Sequence, residues 1–205
     1  YRATLEHLTV VGVTGSYGKT STKVFLTHIL KSAGVRVVSP PGNVNSVIGL
    51  AEFLLRQVTP LYSVLVAEMA AYTIGEIAQS AALLKPSIGI VTAINDQHMA
   101  LFGSRANIIT AKYELIQALP KGGTAIFNDD DEACHTMAGR TSSARVIRFS
   151  QVHRTDVYAD NIRQGKGKLE FTRHAEGGAI AISVPVIGTH LTSTLLAASS
   201  AALAL

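Results

Sequence analysis

A glycine-rich loop at residues 14–21, TGSYGKTS, carries the clearest chemical signal in the chain. It follows an apolar run rich in β-branched residues (8–13) and precedes a helix-favouring stretch (19–33), the context that a phosphate-binding loop requires. Backbone N–H groups and the helix N-terminus attract phosphate, Lys19 can neutralise the β- and γ-phosphates, and Thr20 can bind Mg²⁺ through its hydroxyl. The sequence therefore predicts nucleotide binding by Gly15, Ser16, Gly18, Lys19, Thr20 and Ser21.

The loop departs at one position from the usual phosphate-loop pattern, which places a glycine five residues before Gly18. Val13 stands there in this chain, and the additional glycines are Gly12 and Gly15. The alternative is an ordinary glycine-rich turn followed by a surface lysine. The order of strand, loop and helix favours the phosphate-binding interpretation.

Two further polar residues come after predicted strands. Glu68 follows the apolar run 62–67, and His98 follows the run 87–94 in the segment NDQHMALFGS. A buried carboxylate needs a cation or another partner, and a neutral imidazole can bind a metal. A solvated carboxylate and an ordinary loop histidine are the alternatives. Because both residues would lie beside the phosphate loop, the sequence predicts that Glu68 and His98 are metal ligands.

Strands and helices alternate over the first two thirds of the chain. This alternation implies right-handed crossovers and a mostly parallel, doubly wound sheet. Ligands of such sheets bind outside the carboxyl ends of the strands, so the phosphate loop, Glu68 and His98 would meet at one edge. The predicted strands are 8–13, 35–39, 62–69, 87–94 and 124–128, and the predicted helices are 19–33, 47–57, 75–84 and 104–119.

Short alternating runs separated by glycine-rich turns replace this pattern after residue 144. They predict a small antiparallel sheet at 145–187, followed by a helix that begins near His190. The expected fold class is therefore α/β, a phosphate-loop NTPase-like fold whose sheet is mostly parallel and doubly wound, with a small antiparallel sheet near the C-terminal end. We expect residues 1–205 to form one domain with 145–187 as an annex.

The composition describes a folded protein and excludes several function classes. Of the 205 residues, 47% are hydrophobic and 16% are charged, which supports a packed core and argues against disorder. No uncharged apolar run approaches the roughly 18–20 residues that span a bilayer, so no membrane span is expected. The single cysteine, Cys134, excludes an internal disulfide and a cysteine-based zinc site and favours a reducing compartment, the cytoplasm.

The net charge of +4 comes mostly from residues 145–205. These charges are spread through strand-like runs without interleaved aromatic residues, which indicates a solvated face and no nucleic-acid partner. The chain begins with Tyr1 and stops at Leu205 within an Ala/Leu-rich helical pattern. We therefore expect it to be a piece of a longer protein.

Seven segments, taken together and in order, resemble the central ATP-binding domain of the Mur ligases, the amide-forming enzymes of peptidoglycan precursor synthesis. The resemblance covers nearly the whole chain, and the combination is far more specific than any one segment. The segments are VVGVTGSYGKTSTK (10–23), GNVNSVIG (42–49), EMAAYTIGEI (68–77), HMALFGS (98–104), AKYELI (111–116), AIFNDDDE (125–132) and GTH with LAA (188–198).

The resemblance implies a reaction and a set of roles. ATP would phosphorylate a substrate carboxylate to an acyl phosphate, and an incoming amine would displace phosphate to form an amide. Two Mg²⁺ ions would assist. By matching positions, Lys19 would hold the β- and γ-phosphates, Thr20 and Glu68 would bind one Mg²⁺, and His98 with Glu68 would bind the second.

Lys112 lies 14 residues beyond His98, which is the family's spacing for a lysine carbamylated by CO₂. A bare ammonium would repel Mg²⁺, whereas a carbamate carries negative oxygens that can orient the surroundings of the metal. The alternative is an unmodified lysine on the helix surface, paired with Glu114 or solvent.

The same matching assigns substrate and nucleotide contacts in three other segments. Asn43 and Asn45 would lie near the reacting phosphate and the acyl substrate. Asn128 and Asp130 would lie near adenine and ribose, and His190 near the nucleotide. Polar turns of this kind are common, so plain turns are the alternative for the four Asn and Asp residues.

Four positions depart from the pattern of many relatives: Ala93 and Gln97 before the histidine, and Leu191 and Thr194 in the last motif. The last two concern contacts to adenine. Mur ligases also carry an N-terminal domain for the UDP-linked substrate and a C-terminal domain that closes over ATP, and neither is expected within these 205 residues.

The motif forms are most similar to the members that add D-alanyl-D-alanine to a UDP-muramoyl tripeptide. We therefore expect a cytoplasmic ATP-dependent ligase whose partners are a nucleotide, a peptide-precursor substrate and the absent domains. The alternatives are a folylpolyglutamate or cyanophycin synthetase type of ligase, a phosphate-loop kinase or NTPase switch, and a binding scaffold without turnover.

Overall fold

The computed structural model describes residues 1–96 and 99–205. Within these residues nine strands form a single sheet with helices on both faces. The strands are β1 Thr9–Thr14, β2 Val37–Val38, β3 Val64–Glu68, β4 Ile88–Val91, β5 Thr124–Asn128, β6 Arg145–Ser150, β7 Val157–Gln164, β8 Leu169–Ala175 and β9 Gly178–Val184. The helices are α1 Lys19–Ser32, α2 Val47–Gln57, α3 Glu76–Leu84, α4 Met99–Phe102, α5 Arg105–Gln117, α6 Glu132–Arg140 and α7 Leu191–Ala204, with a 3₁₀ turn at Arg2–Thr4.

The strand order in the sheet is β2-β3-β1-β4-β5-β6-β7-β8-β9. Pairing is parallel from β2 through β7, and the β7–β8 and β8–β9 pairs are antiparallel. The predicted mostly parallel α/β sheet with antiparallel strands near the C-terminal end is therefore confirmed. The predicted extent of the antiparallel part was wrong, because Arg145–Ser150 pairs in parallel with β5 and extends the main sheet.

Two apolar clusters cover the two faces of the sheet. One contains buried residues of α2, α3, α5 and α6, and the other contains buried residues of α1 and α7. The central strands contribute to both clusters, since Val10 packs in the first and Val11 in the second. Because the central strands are buried on both faces, their sequences are continuous apolar runs. The helices on both faces confirm the predicted doubly wound arrangement.

Short polar side chains fix where three helices begin. Ser46, Ser104 and Asp131 precede α2, α5 and α6, and each accepts a hydrogen bond from a backbone N–H of the first turn. The α6 helix was not among the predicted helices, although the cap at Asp131 is a signal for its start. Among the described residues, no helix has the length and apolar character needed to cross a bilayer.

Candidate functional site

The glycine-rich loop joins β1 to α1, as the sequence predicts, and two of its glycines have positive φ. Gly15 has a φ of 139° and Gly18 a φ of 78°. A Cβ atom at Gly15 would collide with the Thr92 side chain, and one at Gly18 would lie 3.1 Å from the Thr194 methyl group. The glycines are therefore required both by backbone conformation and by the close approach of neighbouring residues.

Residues 92–95, which follow β4, hold the phosphate loop by hydrogen bonds. The backbone N–H of Ser16 donates to the carbonyl oxygen of Ala93 at 2.7 Å, and the Thr92 hydroxyl donates to the carbonyl oxygen of Tyr17 at 2.5 Å. The Ser16 hydroxyl accepts a hydrogen bond from the N–H of Asn95 at 3.0 Å. The chain after Val91 thus leaves the sheet to hold the loop, which is why the predicted strand 87–94 is shorter in the structure.

The Lys19 side chain folds back over the loop. Its ammonium donates to the carbonyl oxygens of Gly15 and Ser16 at 2.9 and 3.0 Å. Burial lowers the pKa of Lys19, and the charge of Glu68 opposes this shift of the pKa. A cation is therefore fixed beside the loop N–H groups, where anionic phosphates would sit.

Glu68 ends β3 and is only 2% exposed. The Thr20 hydroxyl donates to its Oε2 atom at 2.8 Å, and the Asn45 amide donates to its Oε1 atom at 3.0 Å. Within the described part of the chain Glu68 forms no ion pair. Both hydrogen-bond donors to this buried carboxylate are neutral, so the position suits a bound cation.

The donor set at this position fits Mg²⁺. Protein Mg²⁺ sites use one or two carboxylates together with phosphate oxygens and waters, and the Thr20 hydroxyl adjoins the Glu68 carboxylate. In residues 1–96 and 99–205 no group of three or more His, Cys, Asp or Glu side chains could hold a metal. His98 and the departure at Gln97 lie outside the described residues.

Lys112 lies on α5, is 4% exposed, and lines the same cavity of about 140 Å³ as Lys19 and Glu68. Burial and the neighbouring Lys19 charge lower the pKa of Lys112 to about 8, while Glu76 and Glu114 act in the opposite direction. The Glu114 carboxylate accepts hydrogen bonds from two backbone N–H groups at the start of α3. The Lys112 side chain is therefore not on the helix surface, and that part of the alternative was wrong, whereas its carbamylation stays a prediction.

A second cavity of about 260 Å³ lies on the other side of Gly18. His190, Leu191 and Thr194 line it together with the buried ring of Phe149. Its walls combine apolar surface with a few hydroxyl and imidazole groups, as is usual for sites that bind planar organic ligands. The structure thus brings His190 and the two departures of the last motif next to the phosphate loop.

Asn128 and Asp130 are engaged within the chain. The Asn128 amide donates to the carbonyl oxygen of Thr92 at 3.0 Å, and Asn128 Oδ1 accepts from the N–H of Asp130. The Asp130 carboxylate accepts from the Ser150 hydroxyl at 2.5 Å and from the N–H of Gln151 at 2.9 Å. Neither residue lines either of the two cavities described above, and their contact with a nucleotide stays a prediction.

The loop before α2 brings one of the two predicted substrate residues into contact with Glu68. Asn45 contacts Glu68 and lines the smaller cavity, whereas Asn43 is exposed. Sequence patterns missed Thr92, which supports the phosphate loop, and Lys23, which holds the start of the loop at 40–46. A lysine among the apolar positions of α1 was the available signal for Lys23.

The chain is similar to known proteins in sequence and in fold. A family described as the Mur ligase middle domain matches residues 13–202. A UDP-N-acetylmuramoyl-tripeptide–D-alanyl-D-alanine ligase from Mycobacterium tuberculosis is 39% identical over 197 residues, which are 96% of this chain and 38% of the relative.

Two solved structures also share the fold. A crystal structure of MurF from Acinetobacter baumannii has a TM-score of 0.92 and 28% identity, and covers 99% of this chain and 44% of that protein. MurF ligase from Thermotoga maritima, in complex with ADP, has a TM-score of 0.87 and 26% identity, and covers 99% of this chain and 47% of that protein. The chain therefore spans less than half the length of these relatives.

Proposed function

Because this chain belongs to the Mur ligase family and matches its middle domain, we propose that it is the ATP-binding part of an ATP-dependent amide ligase. The curated relative named above is a UDP-N-acetylmuramoyl-tripeptide–D-alanyl-D-alanine ligase. We therefore assign the chain to a protein that adds D-alanyl-D-alanine to a UDP-muramoyl tripeptide in peptidoglycan precursor synthesis. The reaction would take place in the cytoplasm.

One observation carries the proposal: the buried Glu68 carboxylate is held by Thr20 and Asn45 within the same cavity as Lys19. The loop N–H groups and Lys19 would bind the triphosphate, and Thr20 and Glu68 would hold one Mg²⁺. By sequence match, His98 would help to hold a second Mg²⁺. When bound, MgATP supplies the phosphoryl group that activates the substrate carboxylate.

Lys112 would act in its carbamylated form. The Lys112 ammonium first loses one proton to solvent and becomes neutral. The Nζ lone pair then attacks the carbon of CO₂, so that a C–N bond forms, one C=O π pair moves onto oxygen and a second N–H proton leaves to solvent. A cation thereby becomes a carbamate anion with the release of two protons. A pKa of about 8 supports this step, because a much larger neutral fraction exists near pH 7.5 than for an ordinary lysine. The carbamate would face Lys19 and would remove the repulsion between two buried cations.

The remaining predicted contacts divide between the nucleotide and the acyl substrate. The cavity beside Gly18 would receive the base and ribose, with His190 at its edge. Asn128 and Asp130 stand as predicted contacts to adenine and ribose. Asn43 and Asn45 would lie near the reacting phosphate and the acyl substrate, because Asn45 of their loop donates a hydrogen bond to Glu68.

The UDP-linked substrate and the amine would be held by parts of the protein outside residues 13–202. This follows from the share of the relatives that the chain matches, 38% of the Mycobacterium tuberculosis ligase and 44% of the Acinetobacter baumannii protein. Residues 1–205 would then bind nucleotide as one domain and form no amide unaided.

Amide formation by the full-length protein tests the proposal. With MgATP and UDP-muramoyl tripeptide, D-alanyl-D-alanine should increase phosphate release roughly tenfold or more, and mass spectrometry should detect the pentapeptide product. The Lys19→Met variant is the control for phosphate released by contaminants. Phosphate release that does not respond to D-alanyl-D-alanine but responds to another acid and amine pair would assign the protein to a different Mur-like ligase. ATP turnover that needs no acid or amine would favour an NTPase.

A further inference from the structure

Lys23 occupies a position in the buried face of α1. It shares this face with Leu26, Thr27 and Leu30, at the spacing of three, four and seven residues that a helix turns toward a core. Its side chain is only 2% exposed. Burial lowers the pKa of Lys23, and the Glu68 charge opposes that shift of the pKa. A lysine is costly in such a place unless its ammonium has specific partners.

The partners of Lys23 are two carbonyl oxygens of one loop. Its ammonium donates to Pro40 at 2.9 Å and to Gly42 at 2.6 Å. These residues begin the segment 40–46, which connects β2 to α2. The helix that starts at the phosphate loop therefore binds the first half of this segment directly.

The second half of the segment is bound by β3 and the residues after it. The Asn45 amide donates to Glu68, and the Asn45 carbonyl oxygen accepts from the N–H of Ala70 at 3.1 Å. Ser46 then caps α2. The segment is thus attached at both ends, and only its middle, which contains Asn43, is free of these contacts.

We propose that Lys23 is a positioning residue that holds segment 40–46 against α1, so that Asn45 reaches Glu68 and Asn43 faces the acyl substrate. The expected effect of Lys23 on catalysis rests on the proposed function. Its expected effect on the position of segment 40–46 does not. Lys23 couples the phosphate-binding helix to the substrate loop through two backbone carbonyls.

Amide hydrogen exchange in the full-length protein tests the structural part. Lys23→Met keeps the length of the side chain but removes the donors, so protection of the Ala70 amide and of amides in 42–46 should fall by about tenfold. Amides of β5 should change by less than about twofold. The matched control is Lys31→Met, the same change at an exposed lysine of the same helix, which should leave all these amides unchanged.

Lys23→Arg retains donors and charge and should restore most of the protection in 42–46. Unchanged exchange in Lys23→Met would show that the lysine only fills space and would overturn the proposal. An equal rise of exchange in β5 would overturn it as well, because it would report general destabilisation. The proposal would also be overturned if Lys23→Arg lost as much protection in 42–46 as Lys23→Met while exchange in β5 stayed unchanged.

Steady-state kinetics test the consequence. Lys23→Met should raise the KM for the UDP-linked precursor about fivefold or more, while the KM for ATP changes less than about twofold. A rise in the KM for ATP alone would overturn the assignment to the substrate loop. If the wild-type protein forms no amide with any precursor, the proposed function fails, and the hydrogen-exchange result still decides the role of Lys23 in the fold.

Discussion

The turns after β1 and β5 leave the same edge of the sheet, and both are rich in residues that could bind a polar ligand. In the first turn, residues 14–21, the loop is supported by β4 while Lys19 and Thr20 meet Glu68 beside a cavity. In the second, residues 128–131, the side chains of Asn128, Asp130 and Asp131 accept or donate hydrogen bonds within the protein. Residues of the first turn line both cavities described above, whereas residues 128–131 line neither of them.

The difference shows that residue types at a strand end do not by themselves define a site. The Asp131 carboxylate illustrates this, since it caps α6 and also accepts from the N–H of Ile94 at 3.0 Å. The second turn thereby fixes the chain that supports the first. Variants in the two turns should therefore differ in what they change, ligand affinity in one and stability in the other.

The largest effect is expected for Lys19→Met. Loss of a charged donor at the phosphates should weaken binding of Mg·ADP by about 100-fold, because hydrogen bonds to charged groups contribute the most. Isothermal titration calorimetry measures the Kd, and thermal unfolding should show that the fold is retained. An unchanged Kd would contradict the prediction that variants in the first turn change ligand affinity.

Gly15→Ala should damage the first turn through its backbone. The φ of 139° and the collision with Thr92 should lower the free energy of unfolding by about 2–4 kcal/mol and also weaken nucleotide binding. Gly34→Ala is the matched control, because Gly34 also has a positive φ, 77°, but no atom within 4 Å of the added Cβ. Gly34→Ala should lower the free energy of unfolding by about 1–2 kcal/mol. If Gly15→Ala and Gly34→Ala lowered the free energy of unfolding equally in chemical denaturation, the collision with Thr92 would contribute nothing to the loss at Gly15.

The carbamate of Lys112 should depend on pH in a defined direction. Because burial lowers the pKa of Lys112 to about 8, the neutral fraction should rise up to about pH 8 and then level off. At constant dissolved CO₂ the carbamate should continue to rise with pH until the lysine is fully modified, because its formation from the neutral amine releases another proton. Carbon-13 NMR with labelled CO₂ measures the carbamate. Lys112→Ala should lose the signal and about 100-fold in kcat, and a small carboxylic acid should restore part of the activity. A wild-type spectrum without the carbamate signal would contradict the proposed role.

The smallest effect is expected for Asp130→Asn in the second turn. The Ser150 hydroxyl and the Gln151 N–H would lose a charged acceptor, so the free energy of unfolding should fall by about 1–3 kcal/mol. Urea denaturation measures this loss. The Kd for Mg·ADP in the folded variant then tests the sequence prediction for Asp130, which requires weaker binding and is contradicted by an unchanged Kd.

Several elements could be predicted because their signals are local. The helix at 47–57 and the strand at 124–128 were predicted with the bounds that the structure has. The limits of β2 and β4 were not, because contacts with distant segments set them. Only Val37 and Val38 of β2 pair with β3, and after Val91 the chain leaves the sheet to hold the phosphate loop. The parallel pairing of Arg145–Ser150 with β5 has the same cause.

The candidate site was predicted in part. Lys19, Thr20 and Glu68 meet as expected, because a phosphate loop and a strand end necessarily share one edge of a parallel sheet. Asn128 and Asp130 share that edge but hydrogen-bond within the protein. No pattern of spacing predicts these hydrogen bonds, since side-chain direction depends on contacts with residues far away in the chain, and the nucleotide contact of Asn128 and Asp130 stays a prediction.

The amino-acid sequence alone determined the phosphate loop, the alternation of strands and helices, and the family, because glycine placement, hydrophobic period and motif order are properties of neighbouring residues. Only the tertiary structure decided that Lys23 and Lys112 are buried and that the two oxygens of Glu68 are held by Thr20 and Asn45. Burial and shared hydrogen bonds arise where segments separated by dozens of residues are packed together, and that packing sets the charge and direction of each side chain.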